Sequence, residues 1–193
     1  MGAPGLESDV RLSVDGVPVL VHDAVVGRRP RRRTVAAMPR RRLPAGVPSL
    51  AELYEAVGPN VDLSLDVKDP AAAAPTVATA RAAGAVGRLW LCGSLDELPG
   101  WRRLDRDVRL VDSTRLRAVR ERLPERARSV LAAGAQALNL PAAEWDAERV
   151  RLVQREGVLA FAWDAHTPAA VQRLRGLGVD AIYGDDVRAL LAA

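Results

Sequence analysis

The sequence has few of the residues that build cross-linked, metal-clustered or membrane-spanning proteins. Its one cysteine, Cys92, excludes an internal disulfide framework and a zinc site made of cysteines. No apolar run approaches the ~20 residues that a membrane-spanning helix requires. Residues 1–4 do not have the charged and apolar regions of a signal peptide. We therefore expect a cytoplasmic location for the chain as written.

Lysine is also nearly absent, and the positive charge is concentrated in one place. The chain has 28 lysines and arginines against 24 acids, a net charge of +4, and Lys68 is its single lysine. Eight arginines lie between Arg28 and Arg42, and no acid lies between Asp23 and Glu52. Without those eight, 20 basic residues remain against the 24 acids, so the rest of the chain is mildly acidic.

This basic loop, which we define as residues 28–46, has three possible interpretations. A solvated surface loop comes first, and a rim for an anionic substrate or a contact with an anionic membrane surface comes second. Nucleic acid comes third, although clustered basic charge does bind phosphates. No Trp, Tyr or Phe lies between Arg28 and Arg42 to stack on bases, and the loop has no recognition-helix pattern.

Short apolar runs alternate with amphipathic stretches along the chain, which is typical of a parallel α/β fold. The longest helix is predicted at about Thr114–Ala133. Val14-Asp15-Gly16-Val17 between the first two strands predicts a hairpin. Strands are predicted at Leu6–Val14, Val17–His22, Val61–Val67, Leu89–Cys92, Val108–Val111, Ala135–Leu140, Val158–Ala162 and Ala181–Tyr183.

The number of units indicates the architecture. Counted with the hairpin as one position, the chain has seven β/α units, whereas a (β/α)8 barrel has eight and usually ~250 residues. We predict a single domain over residues 1–193, an α/β fold of the TIM (β/α)8 barrel type that lacks its first β/α unit. A seven-unit open, doubly wound sheet is the alternative.

Two carboxylates lie close together in the first strand. Glu7 and Asp9 are two residues apart, so their side chains project from the same face. Inside a barrel, unpaired carboxylates are very costly. A divalent cation would compensate them, and oxygen ligands favour Mg²⁺ or Ca²⁺ over zinc. An exposed edge strand with solvated acids is the other interpretation.

The same spacing recurs in a later strand. Asp66 and Lys68 would share one face, while Leu63, Leu65 and Val67 would pack on the other. Asp66 would be a third metal ligand, and Lys68 a cation for an anionic substrate or a developing negative charge. A local ion pair at the strand end is the alternative, and the pattern alone slightly favours it.

Only two histidines are present. His22 ends an apolar strand, and histidine is the residue type best suited to proton transfer near neutral pH; the alternative is a structural histidine bonded to Asp23. His166 precedes Thr167-Pro168, a helix start signal. We interpret His166 as a loop residue beside the site and do not expect it to be catalytic.

Taken together, these motifs resemble the glycerophosphodiester phosphodiesterase family. They follow the family's order from Glu7 to Asp185. The matching segments are Glu7-Ser8-Asp9-Val10, Asp15-Gly16-Val17-Pro18-Val19, His22-Asp23, Pro48-Ser49-Leu50-Ala51-Glu52-Leu53, Leu65-Asp66-Val67-Lys68, Trp163, Gly178-Val179-Asp180-Ala181-Ile182 and Asp185.

The resemblance implies a TIM barrel of the PLC-like phosphodiesterase type. Such an enzyme hydrolyses small-molecule glycerophosphodiesters to glycerol 3-phosphate and an alcohol, with one divalent cation, Mg²⁺ or Ca²⁺, and two histidines. His22 would be one of these histidines. The other implied roles are metal ligands at Glu7, Asp9 and Asp66, where the family commonly has glutamate at the last position, a catalytic and phosphate-contacting cation at Lys68, and a substrate-lining aromatic at Trp163.

One departure from the family bears on activity. The family has a His-Arg pair before its Glu-x-Asp strand, and no histidine precedes Glu7 here. We therefore expect an N-terminally truncated member that is weakly active or inactive, since losing one acid–base partner costs about 10²–10⁴ in rate. The alternatives are a non-catalytic phosphodiester-binding remnant and a protein whose basic loop binds an anionic polymer or membrane surface.

Overall fold

A computed structural model describes residues 5–28, 30 and 32–191. Residues 1–4, and Arg29 and Arg31 of the basic loop, lie outside the described residues. Two compact units make up the chain. The N-terminal unit contains Gly5–Cys92 and Arg103–Arg109, and the C-terminal unit contains Gly93–Arg102 and the residues from Leu110 onward. The organisation as a single domain stays a prediction.

Four strands, three of them mutually parallel, form the sheet of the N-terminal unit. Its strands lie in the order β6-β5-β1-β2, with β1 parallel to β5, β5 parallel to β6, and β2 antiparallel to β1. The elements are β1 (Gly5–Leu12), β2 (Pro18–Leu20), β3 (Val25–Val26), β4 (Arg33–Thr34), α1 (Leu50–Val57), β5 (Asp62–Val67), α2 (Ala73–Ala82) and β6 (Leu89–Gly93).

The predicted hairpin and the predicted alternation of faces are both confirmed in this unit. β1 and β2 pair with Val10 opposite Leu20, and Gly16 in the turn between them has a φ of 76°, which glycine adopts without strain. Leu63 and Leu65 on β5 are completely buried. The opposite face of β5 is therefore left for polar side chains.

The basic loop packs against the hairpin strand β2. The small antiparallel pair β3–β4 is followed by two single 3-10 turns, Val35–Ala37 and Arg40–Arg42. Val35, Leu43 and Val47 are buried together with Val19 of β2. The arginines are thus carried on a frame that has its own small apolar core.

Strands and helices alternate through the C-terminal unit, as predicted for a parallel α/β fold. The strands lie in the order β10-β9-β8-β7, and neighbouring strands are parallel. The elements are α3 (Leu98–Arg102), β7 (Arg109–Ser113), α4 (Leu123–Ala132), β8 (Ala137–Pro141), α5 (Ala147–Arg155), β9 (Leu159–Trp163), α6 (Pro168–Leu177), β10 (Ala181–Ile182) and α7 (Val187–Leu191).

The predicted helix at Thr114–Ala133 is wrong in its first half. Only a 3-10 turn, Leu116–Ala118, forms there, and α4 begins at Leu123. Pro124 stands in the first turn of α4, where proline is tolerated, whereas inside a longer helix it would remove a hydrogen bond and clash with the preceding turn. In the described part of the chain, no helix combines the length and apolarity needed to cross a membrane.

Candidate functional site

The register of two parallel strands brings the predicted acidic residues together. β1 and β5 pair with Glu7 opposite Ser64 and with Asp9 opposite Asp66. Residues in register on neighbouring strands project from the same face. Asp9 and Asp66 are therefore neighbours, and Glu7 lies two residues earlier on their face. This placement could not be read from either strand alone.

Lys68 links the two aspartates. Its Nζ lies 2.5 Å from Oδ2 of Asp66 and 3.1 Å from Oδ1 of Asp9. The side chains of Lys68, Asp9 and Asp66 are 27%, 18% and 33% exposed, so the cluster is reachable from solvent but largely enclosed. The alternative of a local ion pair between Asp66 and Lys68 is therefore present, and the pair extends to Asp9.

The charge state of Lys68 follows from these contacts. Partial burial works to lower the pKa of Lys68, but hydrogen bonds and charges from Asp66 and Asp9 outweigh it and raise the pKa above its usual value. Lys68 is consequently an ammonium at neutral pH. It can donate hydrogen bonds to an anion but cannot act as a general base there.

The three predicted metal ligands are brought together only in part. Within the described residues, no group of three His, Cys, Asp or Glu side chains is arranged to hold a metal ion. The donor chemistry does suit a hard divalent cation, since Glu7, Asp9 and Asp66 offer only carboxylate oxygens. The ammonium of Lys68 already holds a positive charge between two of them. The set therefore fits a cation in donor type and charge.

Cys92 lies next to Asp66 on the neighbouring strand β6. Asp66 of β5 is in register with Cys92 of β6, and the Cys92 sulfur lies 3.2 Å from Oγ of Ser64. Burial raises the pKa of the Cys92 thiol to about 12, although the hydrogen bond with Ser64 opposes this. The thiol is therefore protonated and is not a nucleophile.

His22 lies beside β1, the strand that contains Asp9. The amide of Val21 donates to the carbonyl of Asp9 at 3.0 Å, and Arg11 Nε donates to the His22 carbonyl at 2.9 Å. Nδ1 of His22 lies 2.9 Å from Oδ1 of Asp23. That hydrogen bond is the main reason why the pKa of Asp23 is lowered. Both side chains are exposed, so the ring is oriented by Asp23 and open to solvent.

The C-terminal unit contains Trp163, the predicted substrate-lining residue. Trp163 is the last residue of β9, and the guanidinium carbon of Arg115 lies 4.4 Å from the centroid of its ring. The indole Nε1 is buried without a hydrogen-bond partner. Sequence reasoning missed Arg115, because it predicted a helix there, whereas α4 begins only at Leu123.

His166 is flanked by two acids in the C-terminal unit. Its Nε2 contacts Oδ1 of Asp164, and its Nδ1 lies 3.4 Å from Oδ2 of Asp185. Asp164 has a φ of 70°, which is uncommon for a residue other than glycine. Since the two carboxylates contact opposite nitrogens of the ring, they do not converge on a single point.

A buried ion pair in the same unit was also missed. Asp112 of β7 is completely buried, and Arg126 of α4 donates to its two oxygens at 2.7 and 3.0 Å. Burial raises the pKa of Asp112, and the hydrogen bonds from Arg126 oppose that rise. Glu121 accepts another hydrogen bond from Arg126 at 3.1 Å. The apolar sequence around Asp112 indicated a strand but not this partner.

Comparison with protein families gives one match over nearly the whole chain. A model described as the glycerophosphoryl diester phosphodiesterase family matches residues 1–189. The search of curated proteins gave no match.

Solved structures of similar fold carry names from the same family. A glycerophosphodiester phosphodiesterase from Thermotoga maritima has a TM-score of 0.81 and 22% identity, with 99% of this chain and 85% of that chain covered. One from Agrobacterium tumefaciens has a TM-score of 0.77 and 19% identity, covering 99% and 87%. A phosphodiesterase from Oleispira antarctica, in complex with the product sn-glycerol 3-phosphate, has a TM-score of 0.80 and 19% identity, covering 99% and 85%. The predicted fold class, α/β of the TIM-barrel type, is confirmed by this likeness.

Proposed function

We propose, since the chain belongs to the glycerophosphoryl diester phosphodiesterase family, that the protein hydrolyses a small glycerophosphodiester to glycerol 3-phosphate and an alcohol. The observation that carries the proposal is the cluster of Asp9, Asp66 and Lys68 on two neighbouring parallel strands. It combines acidic ligands with a fixed positive charge near the carboxyl end of β5, the end at which barrel enzymes bind substrate.

The family generally uses a divalent cation, and we propose that Glu7, Asp9 and Asp66 hold Mg²⁺ or Ca²⁺ in this chain. When bound, the cation would supply Lewis-acid stabilisation of the charged phosphodiester oxygens. Asp9 and Asp66 now have one counter-charge between them, that of Lys68. A divalent cation would therefore compete with Lys68 for the same two carboxylates.

Lys68 is proposed to contact the phosphate group of the substrate. Its pKa is raised by Asp66 and Asp9 against the effect of burial, so it stays cationic throughout the neutral range. A charge held in place before the reaction stabilises negative charge that develops in the transition state.

His22 is proposed as an acid–base group. The hydrogen bond with His22 is the first cause that lowers the pKa of Asp23. Because the ionised carboxylate of Asp23 can only accept a hydrogen bond, Nδ1 of His22 carries the proton in the neutral ring. Nε2 is then the nitrogen left to take or give a proton. Asp23 orients the ring in this proposal and does not exchange the proton itself.

The other histidine of the sequence is His166, for which no acid–base role is proposed. With a single recognised acid–base histidine, turnover is expected to be slower than with a complete pair, by about 10²–10⁴. A phosphodiester-binding protein without turnover is the second candidate. The contacts of Lys68 with both Asp9 and Asp66 favour it, because a metal ion must compete with Lys68 for those ligands.

The test is the release of glycerol 3-phosphate from glycerophosphocholine and glycerophosphoethanolamine, with Mg²⁺, Ca²⁺ or EDTA. We expect turnover that requires the metal and is lost in His22→Ala. The matched control is His166→Ala, the exposed histidine of the other unit, which should retain activity. Substrate binding by calorimetry without product would establish the second candidate, and neither binding nor product would refute both.

A further inference from the structure

The basic loop presents several described arginines that form no salt bridge. Within the part of the chain that the structure describes, five exposed arginines of the loop have no ion pair. Arg40 differs, since its Nη2 lies 2.5 Å from Oε2 of Glu52. The five are Arg28, Arg32, Arg33, Arg41 and Arg42. Their charge is thus available to an outside partner.

These arginines are held in a defined place by the buried core of the loop. Val35, Leu43 and Val47 pack with Val19 of β2, and the carbonyl of Ala24 accepts a hydrogen bond from the Val35 amide at 2.9 Å. A fixed frame loses less conformational entropy on binding than a free tail would. The loop therefore presents its arginines at defined positions on the protein surface.

The β1–β2 hairpin supports this surface from the end of the sheet. Val67, the last residue of β5, is in register with Val10, so the rest of the hairpin extends beyond β5. At its tip the Val14 amide donates to the Met38 carbonyl at 3.1 Å. The Asp15 carboxylate accepts from the amide of Arg40 at 3.0 Å. The loop is thus attached to the hairpin at the end of β5 that Lys68 follows.

An apolar side chain borders the arginines. Val14, at the tip of the hairpin, is 61% exposed, although valine is usually buried. A basic surface with an exposed apolar residue at its edge is the pattern by which proteins bind anionic bilayers, with the cations at the phosphates and the apolar group in the headgroup layer.

We propose that the basic loop binds an anionic phospholipid surface, with its arginines on the lipid phosphates and Val14 in the headgroup layer. Nucleic acid is the less suitable partner. The sequence has no aromatic residue between Arg28 and Arg42 to stack on bases. The described part of the loop forms only two 3-10 turns and one two-residue strand, so it offers no helix to a groove.

The experiment is co-sedimentation of the protein with vesicles of phosphatidylcholine alone or with about a third phosphatidylglycerol. The loop variant changes Arg28, Arg32, Arg33, Arg41 and Arg42 to Gln. The matched control changes five other exposed arginines to Gln, namely Arg103, Arg117, Arg120, Arg151 and Arg155. Both variants move the net charge from +4 to −1, so total charge does not distinguish them.

We expect binding to the anionic vesicles only, and weaker binding at about 0.5 M than at about 0.1 M salt because salt screens surface charge. Each arginine near an anionic surface contributes about fivefold to partitioning. The loop variant should therefore bind at least tenfold more weakly, while the control should bind within about threefold of the unchanged protein. Val14→Asp, a single change at an exposed turn, should also weaken binding. It provides a second test in case the loop variant, with its five substitutions, fails to fold.

Three results would overturn the proposal. Equal losses in the loop variant and the control would mean that net charge alone attracts the protein to the vesicles. Equal binding to neutral and anionic vesicles would exclude recognition of lipid phosphates. Tighter binding of a single-stranded oligonucleotide, lost in the loop variant, would assign the surface to nucleic acid. Vesicle binding is measured without substrate, so the result does not depend on catalysis.

Discussion

Nζ of Lys68 lies 2.5 Å from Oδ2 of Asp66, two residues before it in the same chain segment. The same ammonium lies 3.1 Å from Oδ1 of Asp9 on the neighbouring strand. One cation is therefore shared by carboxylates from two strands, and any other cation that binds Asp9 and Asp66 must compete with Lys68.

Lys68→Met is expected to separate substrate binding from metal binding. Loss of the ammonium should lower kcat/KM by about 10²–10³, the cost of removing one group that stabilises transition-state charge. Removal of the competing charge should strengthen Mg²⁺ or Ca²⁺ binding measured by calorimetry. Lys68→Arg, which keeps the charge, is the control. Weaker metal binding by Lys68→Met would contradict competition at these carboxylates.

The contact between Arg115 and Trp163 is expected to stabilise the C-terminal unit. The guanidinium carbon lies 4.4 Å from the ring centroid, and such cation–π pairs contribute about 0.5–2 kcal/mol. A double-mutant cycle with Arg115→Gln and Trp163→Leu, measured by urea unfolding, should give a coupling energy in that range. Trp163→Phe keeps an aromatic face and should retain part of the coupling. Additive effects of the two changes would show that the contact contributes nothing.

Removing one partner of the buried Asp112–Arg126 pair is expected to destabilise the protein more than removing both partners. Arg126→Met leaves the completely buried carboxylate of Asp112 without its partner, which typically costs about 3–5 kcal/mol of unfolding free energy. The double change Asp112→Leu with Arg126→Met removes both charges and should cost less than Arg126→Met alone. Urea unfolding of the three proteins measures this, and a double variant that is the least stable would exclude the argument.

The N-terminus of α1 is expected to lose stability in acid. The side chain of Ser49 accepts a hydrogen bond from the Glu52 amide, and the Glu52 side chain accepts one from the Ser49 amide, which is a capping box. Hydrogen bonds from Arg40 and then Ser49 lower the pKa of Glu52 from 4.5 to about 2. Its ionised form is thus favoured in the folded state, so its contribution is full above about pH 4.5 and is lost as the pH falls toward about 2.

The measurement is the pH dependence of unfolding for Glu52→Gln. The destabilisation should be constant near neutrality and should disappear between about pH 4.5 and about 2. Glu55→Gln, an exposed change on the same helix, is the control and should show no such dependence. Ser49→Ala should cost about 1 kcal/mol at pH 7, as helix caps typically do. A Glu52→Gln effect that persists unchanged at pH 2 would contradict the assignment.

Cys92 is expected to be unreactive in the folded protein. Burial is the main cause that raises its pKa to about 12, so neither thiolate nor access is available to a disulfide reagent. Titration with Ellman's reagent at pH 8 should give no reaction until denaturant is added, and then one thiol per chain. Rapid reaction without denaturant would show that β6 opens under native conditions.

Much of the polar cluster was predictable because a strand has a period of two residues. That period places Glu7 and Asp9 on one face of β1 and Asp66 and Lys68 on one face of β5. It also places Leu63 on the buried face. Which residues of β1 lie opposite which residues of β5 is a matter of register, and no local pattern reports it.

Two contacts within the C-terminal unit left no readable pattern. Arg115 lies in an irregular segment before α4, and Arg126 is one of several arginines on and around that helix. The residue that each one meets depends on how the segments after β7 turn back over the sheet of the C-terminal unit. The helix predicted from Thr114 failed for a local reason, since Pro124 makes Leu123 the natural start of α4.

By itself, the sequence determined the fold class, the hairpin, the concentration of positive charge in the basic loop and the side-chain types of the candidate site. These properties depend on composition and on short-range periodicity, which can be read from neighbouring residues in the chain. Only the tertiary structure decided that Lys68 is shared by Asp9 and Asp66, that Arg115 lies over Trp163, and that the arginines of the basic loop rest on a packed core beside Val14. Those relationships arise when segments far apart in the chain bury their apolar faces together, and the polar side chains that meet are the ones this burial leaves side by side.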